Sequence, residues 1–557
     1  MPTKKPFHFQ PKSAPFAFGG VYDVWKGDGG MAITSFSIVT TAAAPSTQQY
    51  NDRMPNPAQN RRKWTLRLIV RLMVLVVVAF GIPDGHAATP DPVAESITHQ
   101  SFKVGSADAA FTVTAATLPL ADDLPLADEK GEKQADIYYV AYTRDEAAGG
   151  SRPITFVFNG GPGSSSAYLH LGALGPRVID FGPDGQVPSP PGTLVDNPDS
   201  WLDLSDLVFV DPVGTGYSRV AGDAARSYWG VEEDLASIAT FIDRYLTQNH
   251  RQASPKYLVG ESYGGFRAAR LPELLADDHH IAIAGSFLIS PVLEFSLIDG
   301  DSLALLPDVL RLPSYAAVAL ERSATPTPEA LADVEQFALG PYLSALAATP
   351  RNEAAMRDIY ARVARYTSVP EPVVARHDGR LPLGVFVKEA RRADGLLISR
   401  YDGSVTAPDP HPDSRRARGD ALFDGLRAAL TKGMTAYLSD TLGVHTDLPY
   451  RLLNGKAVRQ WNWRSGLGGR EGHAGAADAL REMLAHDRAF RIAIAHGMTD
   501  LVTPYLTSRY VVDHLPPTLT ADRVTLNLYP GGHMMYLRAA SRARLHADAA
   551  RLYSPLP

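Results

Sequence analysis

The sequence predicts an α/β fold, a mostly parallel central sheet flanked by helices and interrupted once by a largely helical insertion. Three observations lead there. Short apolar runs rich in β-branched and aromatic residues recur and end in loops of glycine, proline or aspartate, as at residues 153–158, 207–210 and 257–259. Such runs suit strands buried on both faces of a parallel sheet. Segments of helical period lie between them, which is the alternation of an α/β layer structure. From Glu294 to about Phe490 the strand pattern gives way to helical segments joined by proline-rich connectors, and then it resumes.

Taken in order, residues 102–104, 111–114 and 137–142 alternate or are rich in β-formers, which predicts hairpins at a sheet edge. The run 153–158 leads into Asn159-Gly160-Gly161-Pro162-Gly163, and 207–210 leads into Asp211-Pro212-Val213-Gly214. Val231, Leu235, Ile238, Ile242 and Tyr245 then recur at helical spacing, with Glu232, Glu233 and Asp234 in the first turn, where a helix dipole favours acids. Those three acids read as helix-end charges. Residues 257–259 lead into Gly260-Glu261-Ser262-Tyr263-Gly264, and 286–289 form a fourth buried strand. In the insertion, 329–346, 353–366, 385–398 and 420–442 read as helices. After it, 490–495 run into His496-Gly497-Met498-Thr499-Asp500, and 524–529 into Pro530-Gly531-Gly532-His533.

The chain of 557 residues carries a net charge of −6, so nothing in its charge favours nucleic acid or an anionic membrane. It contains no cysteine, which removes disulfides, thiolate metal sites and cysteine nucleophiles. Neither metal-ligand spacing, a P-loop nor a dinucleotide fingerprint occurs, so no cofactor is implied. Near the N-terminus, Arg61-Arg62-Lys63 precedes an apolar stretch at 68–80, interrupted by Arg71, and then Gly85-His86-Ala87. A basic region, a short apolar region and small residues at a cut point make a secretory signal, with no stable membrane anchor expected after cleavage. The expected organisation is a low-complexity, over-extended start at 1–53 and a signal at 54–87. Core then occupies 88–293, insertion 294–484 and core again 485–557. Met54 is the expected initiator, and the mature chain, beginning near Ala88, is expected in the periplasm or outside the cell.

Three reactive residues fall at the ends of predicted strands, in the chain order Ser262, Asp500, His533. Sites in open α/β sheets lie at that edge, and Ser…Asp…His is the order of the α/β-hydrolase fold. Serine is a weak nucleophile until a base takes its proton. His533 is the candidate base and Asp500 the group that holds its tautomer. Asp211 precedes the serine and His496 starts the acid loop where the order calls for a carboxylate, while Asp513 and Asp522 have no strand feeding them. An oxyanion site needs two inward-aimed amides. Tyr263 and the glycine-rich loop at 159–163 are the candidates.

Five separated motifs now agree: 159–165, 211–218, Gly260-Glu261-Ser262-Tyr263-Gly264-Gly265, Gly497-x-x-Asp500 and Gly531-Gly532-His533-Met534. Together they resemble the serine carboxypeptidase family, in its bacterial type, over roughly 100–293 and 485–557. The resemblance implies an exopeptidase acting on peptides with a free C-terminus. It assigns oxyanion amides to Gly161 and Tyr263, and recognition of the terminal carboxylate to Asn159 and Glu261. Only a protonated glutamate can donate to a carboxylate, and burial would keep it protonated. The sequence departs from the family pattern in three places: Ser164 stands for a cysteine, Ala173 for a second glutamate, and Phe266-Arg267 for a His-Tyr pair. Two other readings stand beside this one, an esterase or acyltransferase on the same scaffold and a non-catalytic binding protein.

Overall fold

The computed structural model describes residues 92–105, 107–120, 135–145, 152–188, 192–220, 227–464 and 474–554, and the strand segments at 6–9, 18–26 and 32–40. The chain divides into two units, Met1–Gly85 and His86–Pro557. In the first, β1 (Pro6–Phe9), β2 (Phe18–Lys26) and β3 (Ala32–Thr40) pair antiparallel in that order. These strands lie within 1–53, where a low-complexity, over-extended start was expected. Valine, isoleucine, tyrosine, tryptophan and phenylalanine in β2 and β3 are strand formers, and two such runs can pair. The expected secretory segment at 54–87 lies outside the described residues.

The second unit is built on a ten-stranded sheet. Its strands are β4 (Ser96–Val104), β5 (Ala107–Leu120), β6 (Ala135–Arg144), β7 (Ile154–Phe158), β8 (Asp206–Asp211), β9 (Lys256–Glu261), β10 (Gly285–Ile289), β11 (Arg491–Gly497) and β12 (Val524–Tyr529), with the short Arg219–Val220 pairing onto β6. The order across the sheet is β12-β11-β10-β9-β7-β8-β6-β5-β4. Pairs from β8 to β12 along this path are parallel, and those from β8 through β6 and β5 to β4 are antiparallel. This is the α/β-hydrolase arrangement predicted above, with the expected hairpins at one edge.

Alternation divides the core. Leu258 and Phe156 face one side of the sheet, with helices α1 (Val231–Gln248) and α2 (Tyr263–His279), while Val259 and Val157 face the other, with Trp201 and the C-terminal helix Ala539–Tyr553. The register matters for function. Gly260 pairs with Phe158, Glu261 with Ile289, and Ile289 with Ala495. The turns after β7, β9, β10, β11 and β12 therefore open at one edge.

The insertion is helical as expected, with helices Pro328–Phe337, Glu353–Thr367 and Phe423–Ala436 among its elements. One segment differs. The expected helix over 385–398 is a helix only at Leu383–Glu389, and Leu396–Ile398 is a strand paired with Thr406–Pro408. Gly395, at φ +71°, takes the left-handed conformation that stops helical continuation before this hairpin. Among the described residues no helix is long and apolar enough to cross a membrane.

Candidate active site

Ser262 sits between β9 and α2 at φ 60°, ψ −122°, a conformation costly for any residue with a Cβ. The turn doubles back so tightly that a Cβ at Gly260 would lie 1.9 Å from the carbonyl oxygen of Gly264. Glycine is therefore required there, as the Gly-x-Ser-x-Gly spacing implied. The turn is held by Ser262 N–H donating to Ile289 O (2.9 Å) and by Gly265 N–H donating to Ser262 O (2.9 Å).

His533 and Asp500 come from the turns after β12 and β11. The imidazole Nδ1 lies 2.8 Å from Asp500 Oδ2. Asp500 is fully buried, yet its oxygens accept from Val502 N–H (2.8 Å), Thr503 N–H (3.0 Å) and the Thr503 hydroxyl (2.6 Å). These donors fix the carboxylate so that Oδ2 faces the imidazole. Burial alone would lower the pKa of His533. The Asp500 carboxylate and its hydrogen bond, with Glu261 adding to them, outweigh burial and raise it. Ser262 and His533 line one cavity of about 180 Å³ with Asn159, Gly161, Glu261 and Met534. No hydrogen bond joins Ser262 Oγ to the imidazole among the described residues; such bonds are often long in a free site and tighten with substrate. His496, rejected on order, is buried with Nε2 2.8 Å from Ser508 Oγ, and burial lowers its pKa to about 4.

The loop after β7 approaches the Ser262 turn so closely that a Cβ at Gly160 would be 2.5 Å from the Tyr263 nitrogen. Gly161 N–H and Tyr263 N–H, the two candidate oxyanion amides, donate to no protein group among the described residues. No disulfide holds this loop, since Ser164 replaces the cysteine. Instead Asn454 N–H donates to Gly163 O (2.8 Å) and Ser165 N–H to Leu452 O (3.0 Å). Asp211 clamps the far end, Oδ1 accepting from Ser166 N–H and from its hydroxyl, both at 2.8 Å. Burial pushes the Asp211 carboxyl up to about 6 despite these bonds.

Asn159 and Glu261 meet in the same cavity: the Asn159 side-chain amide donates to Glu261 Oε2. The Tyr536 hydroxyl donates to the same oxygen at 2.8 Å. Burial raises the Glu261 pKa to about 7; His533 and the hydrogen bonds from Tyr536 and Asn159 oppose it. Asn159 is itself fixed, Oδ1 accepting from Leu169 N–H (3.0 Å) and the backbone carbonyl accepting from Arg267 Nη1 (2.5 Å). Arg267 is fully buried and forks onto Asp234, with Nε and Nη2 donating to its two oxygens at 2.5 and 3.1 Å. Asp234 is thus no exposed helix-end charge, as its neighbours Glu232 and Glu233 suggested, but the counter-ion of a buried arginine.

Sequence reasoning therefore missed Arg267, Asp234, Asp211 and Tyr536 as parts of the site. The replacement of His-Tyr by Phe266-Arg267 was the one signal for the first of these. Trp461 packs against the Tyr263 ring (5.4 Å between centroids), and Trp463, 39% exposed, lies 5.9 Å from it, forming a wall beside the Ser262 turn. Among the described residues no group of three or more His, Asp or Glu could hold a metal ion.

Residues 126–293 match the family model described as serine carboxypeptidase. That stretch is related to the serine carboxypeptidases. Serine carboxypeptidase-like 26 of Arabidopsis thaliana is 33% identical over 24% of this chain and 28% of its own. Serine carboxypeptidase-like 45 of the same plant is 31% identical over 30% and 35%, and serine carboxypeptidase ctsa-3.1 of Caenorhabditis elegans 32% identical over 22% and 21%. The matched stretch thus spans between about a fifth and a third of these serine carboxypeptidases; Asp500 and His533 lie outside the family-model match. Residues 2–66 match a second model, SOS response associated peptidase (SRAP). Among solved structures, the peroxisomal alpha-beta-hydrolase Lpx1 of Saccharomyces cerevisiae is 13% identical with a TM-score of 0.34, covering 80% of this chain and 91% of that one. The bacterial heroin esterase is 11% identical at 0.32, covering 92% and 98%. The hydrolase arrangement of this chain rests on its own strand order.

Proposed function

We propose that this protein is a serine-type carboxypeptidase, releasing C-terminal amino acids from peptides through Ser262, His533 and Asp500. The observation that carries the reading is the meeting of Asn159 with a buried Glu261, its pKa raised to about 7, in the cavity shared by Ser262 and His533. An esterase or acyltransferase has no terminal carboxylate to hold, so that pair favours a peptidase.

The chemistry follows from the groups. Protonated Glu261 and the Asn159 amide donate to the substrate's terminal carboxylate, which sets the last peptide bond at Ser262. The hydroxyl oxygen attacks the carbonyl carbon and its proton passes to the free nitrogen of His533. Gly161 N–H and Tyr263 N–H meet the oxyanion. The C–N bond breaks, the leaving amine takes the proton from His533, and an acyl-Ser262 ester remains. Water, deprotonated by His533, then attacks that ester carbonyl, the C–O bond to Ser262 breaks, and the proton passes from His533 back to the serine oxygen as the shortened peptide leaves. Asp500 holds the imidazole with its proton on Nδ1 and stabilises the cation in both halves.

Peptides with a free C-terminus are thus the substrates, and the secretory pattern at 54–87 supports export to the periplasm or beyond. N-terminal sequencing of exported material is expected to begin near Ala88. The activity is tested by mass spectrometry of a peptide mixture treated with wild type and with Ser262→Ala. Stepwise loss of C-terminal residues by wild type alone is expected; cleavage only of ester substrates would favour the esterase reading.

A further inference from the structure

We propose that Tyr536 dictates which oxygen of Glu261 carries the proton, and so makes the site select a free terminal carboxylate. The inference deepens the carboxypeptidase reading and rests on it.

Tyr536 stands three residues after His533, on the turn Met535–Leu537, and is fully buried. Its hydroxyl and the Asn159 amide converge on one atom, Glu261 Oε2. A phenol has one hydrogen and an ionised or neutral carboxyl oxygen can accept it. With two donors aimed at Oε2, a proton on that oxygen would displace one of them. It belongs on Oε1, which accepts no hydrogen bond from the described residues. Glu261 lines the Ser262 cavity, so the proton on Oε1 is the one available to a ligand there. A substrate carboxylate then receives a charge-assisted hydrogen bond, stronger than the bond a neutral amide would receive.

The position of Tyr536 is itself set by packing. A Cβ at Gly172 would come 2.9 Å from Tyr536 Cε2, so the ring lies directly on the turn His170–Leu174. Ala173 on that turn brings no second carboxyl to Glu261. The titratable groups that face Glu261 are His533 and Asp500 from the strand-end turns, Tyr536, and Tyr168. Burial and the nearby Glu261 keep the Tyr536 phenol far above its usual pKa, so it stays a neutral donor throughout the working range. A hydroxyl here also favours the ionised form of Glu261, where a second carboxylate would oppose it.

The test uses Tyr536→Phe and a blocked dipeptide assayed beside its C-terminal amide. At pH 5, KM for the free acid is expected to rise about tenfold, the scale of one hydrogen bond, with the amide changed less than twofold. The pH at which KM for the acid climbs is expected to move upward, because ionised Glu261 has lost a donor. Equal losses on acid and amide, or an unmoved pH limb, would overturn the proposal. Gly172→Ala, which keeps the hydroxyl but crowds the ring, should raise KM for the acid more than for the amide, as Tyr536→Phe does but by a smaller factor. Should Tyr536→Phe fail to fold, unaltered discrimination in Gly172→Ala would overturn the proposal instead. A wild type that treats acid and amide alike would sink the carboxypeptidase reading itself. A discriminating wild type matched by Tyr536→Phe would sink only this inference.

Discussion

Residues that reach the Ser262 cavity from the sheet do so on turns whose backbone has no freedom, whereas the insertion touches it through the side chains of Tyr401, Phe423, Leu453 and Val458. The first group includes Gly160, within 2.5 Å of the Tyr263 nitrogen if a Cβ were added, and Ser262 itself at φ 60°. The second is a layer of apolar and aromatic surface, with Tyr401 stacked on Phe423 at 4.4 Å. A larger cavity of about 860 Å³, walled by the insertion, meets the first at Tyr401 and Val502. Its charges are largely balanced: Arg380 donates to Asp308, and Arg351 pairs with Asp378. On the proposed carboxypeptidase reading, bond-breaking falls to the sheet edge and choice among side chains to the insertion.

Substitutions can break that division or sharpen it. The largest effect belongs to the triad. Ser262→Ala or His533→Ala should lower kcat by about 10⁶-fold, and Asp500→Asn by about 10⁴-fold, measured on a blocked dipeptide. Residual activity near one per cent of wild type would move the chemistry elsewhere. Next comes stability. Asp234→Ala leaves Arg267 buried and unpaired beneath Asn159, and should cost about 3–5 kcal/mol in denaturant unfolding. Arg392→Ala, which removes a surface pair with Glu389 in the insertion, should cost less than about 0.5 kcal/mol.

The third effect is on pH dependence. Glu261 must be protonated to donate, and its pKa is raised to about 7, so substrate affinity should be full below that pH and fall as pH rises through it. In Glu261→Gln the side-chain amide donates at every pH, and the rise of KM should flatten between about pH 6 and about pH 9. A rise as steep as wild type's would remove Glu261 from carboxylate recognition. The smallest effect is expected at Val458, 41% exposed on the insertion side of the cavity. Val458→Ala should change preference among substrate side chains only about three-fold and leave kcat alone, because a contact this exposed falls below the roughly 1–3 kcal/mol that a methylene is worth in a closed apolar pocket.

What was legible in the sequence follows the same division. Gly260, Ser262 and Gly264 advertise themselves because a tight turn restricts residue type locally, and the strands feeding them are short apolar runs. His533 and Asp500 were legible from order and from the strands before them. Partnerships made in space were not. Asp234 and Arg267 are separated by 33 positions, and an acid in a first helical turn looks the same whether it faces water or a buried guanidinium. Asp211 failed the order expected of a triad acid, and nothing local to it tells that its carboxylate holds the loop at Ser166. Tyr536 reads as one more core aromatic until its hydroxyl is seen on Glu261. In the insertion, a three-residue strand at Leu396–Ile398 is too short to show a period against the helical residues before it.

Recognition of the chain end is read from a single ratio: kcat/KM for a blocked dipeptide over that for its C-terminal amide, with wild type at pH 5. The account predicts a ratio of about 100 or more, the scale of two polar contacts made to a carboxylate by Asn159 and Glu261. A ratio near one would contradict it, and would leave the Ser262 centre to an acyl-transfer chemistry that ignores the end of the chain.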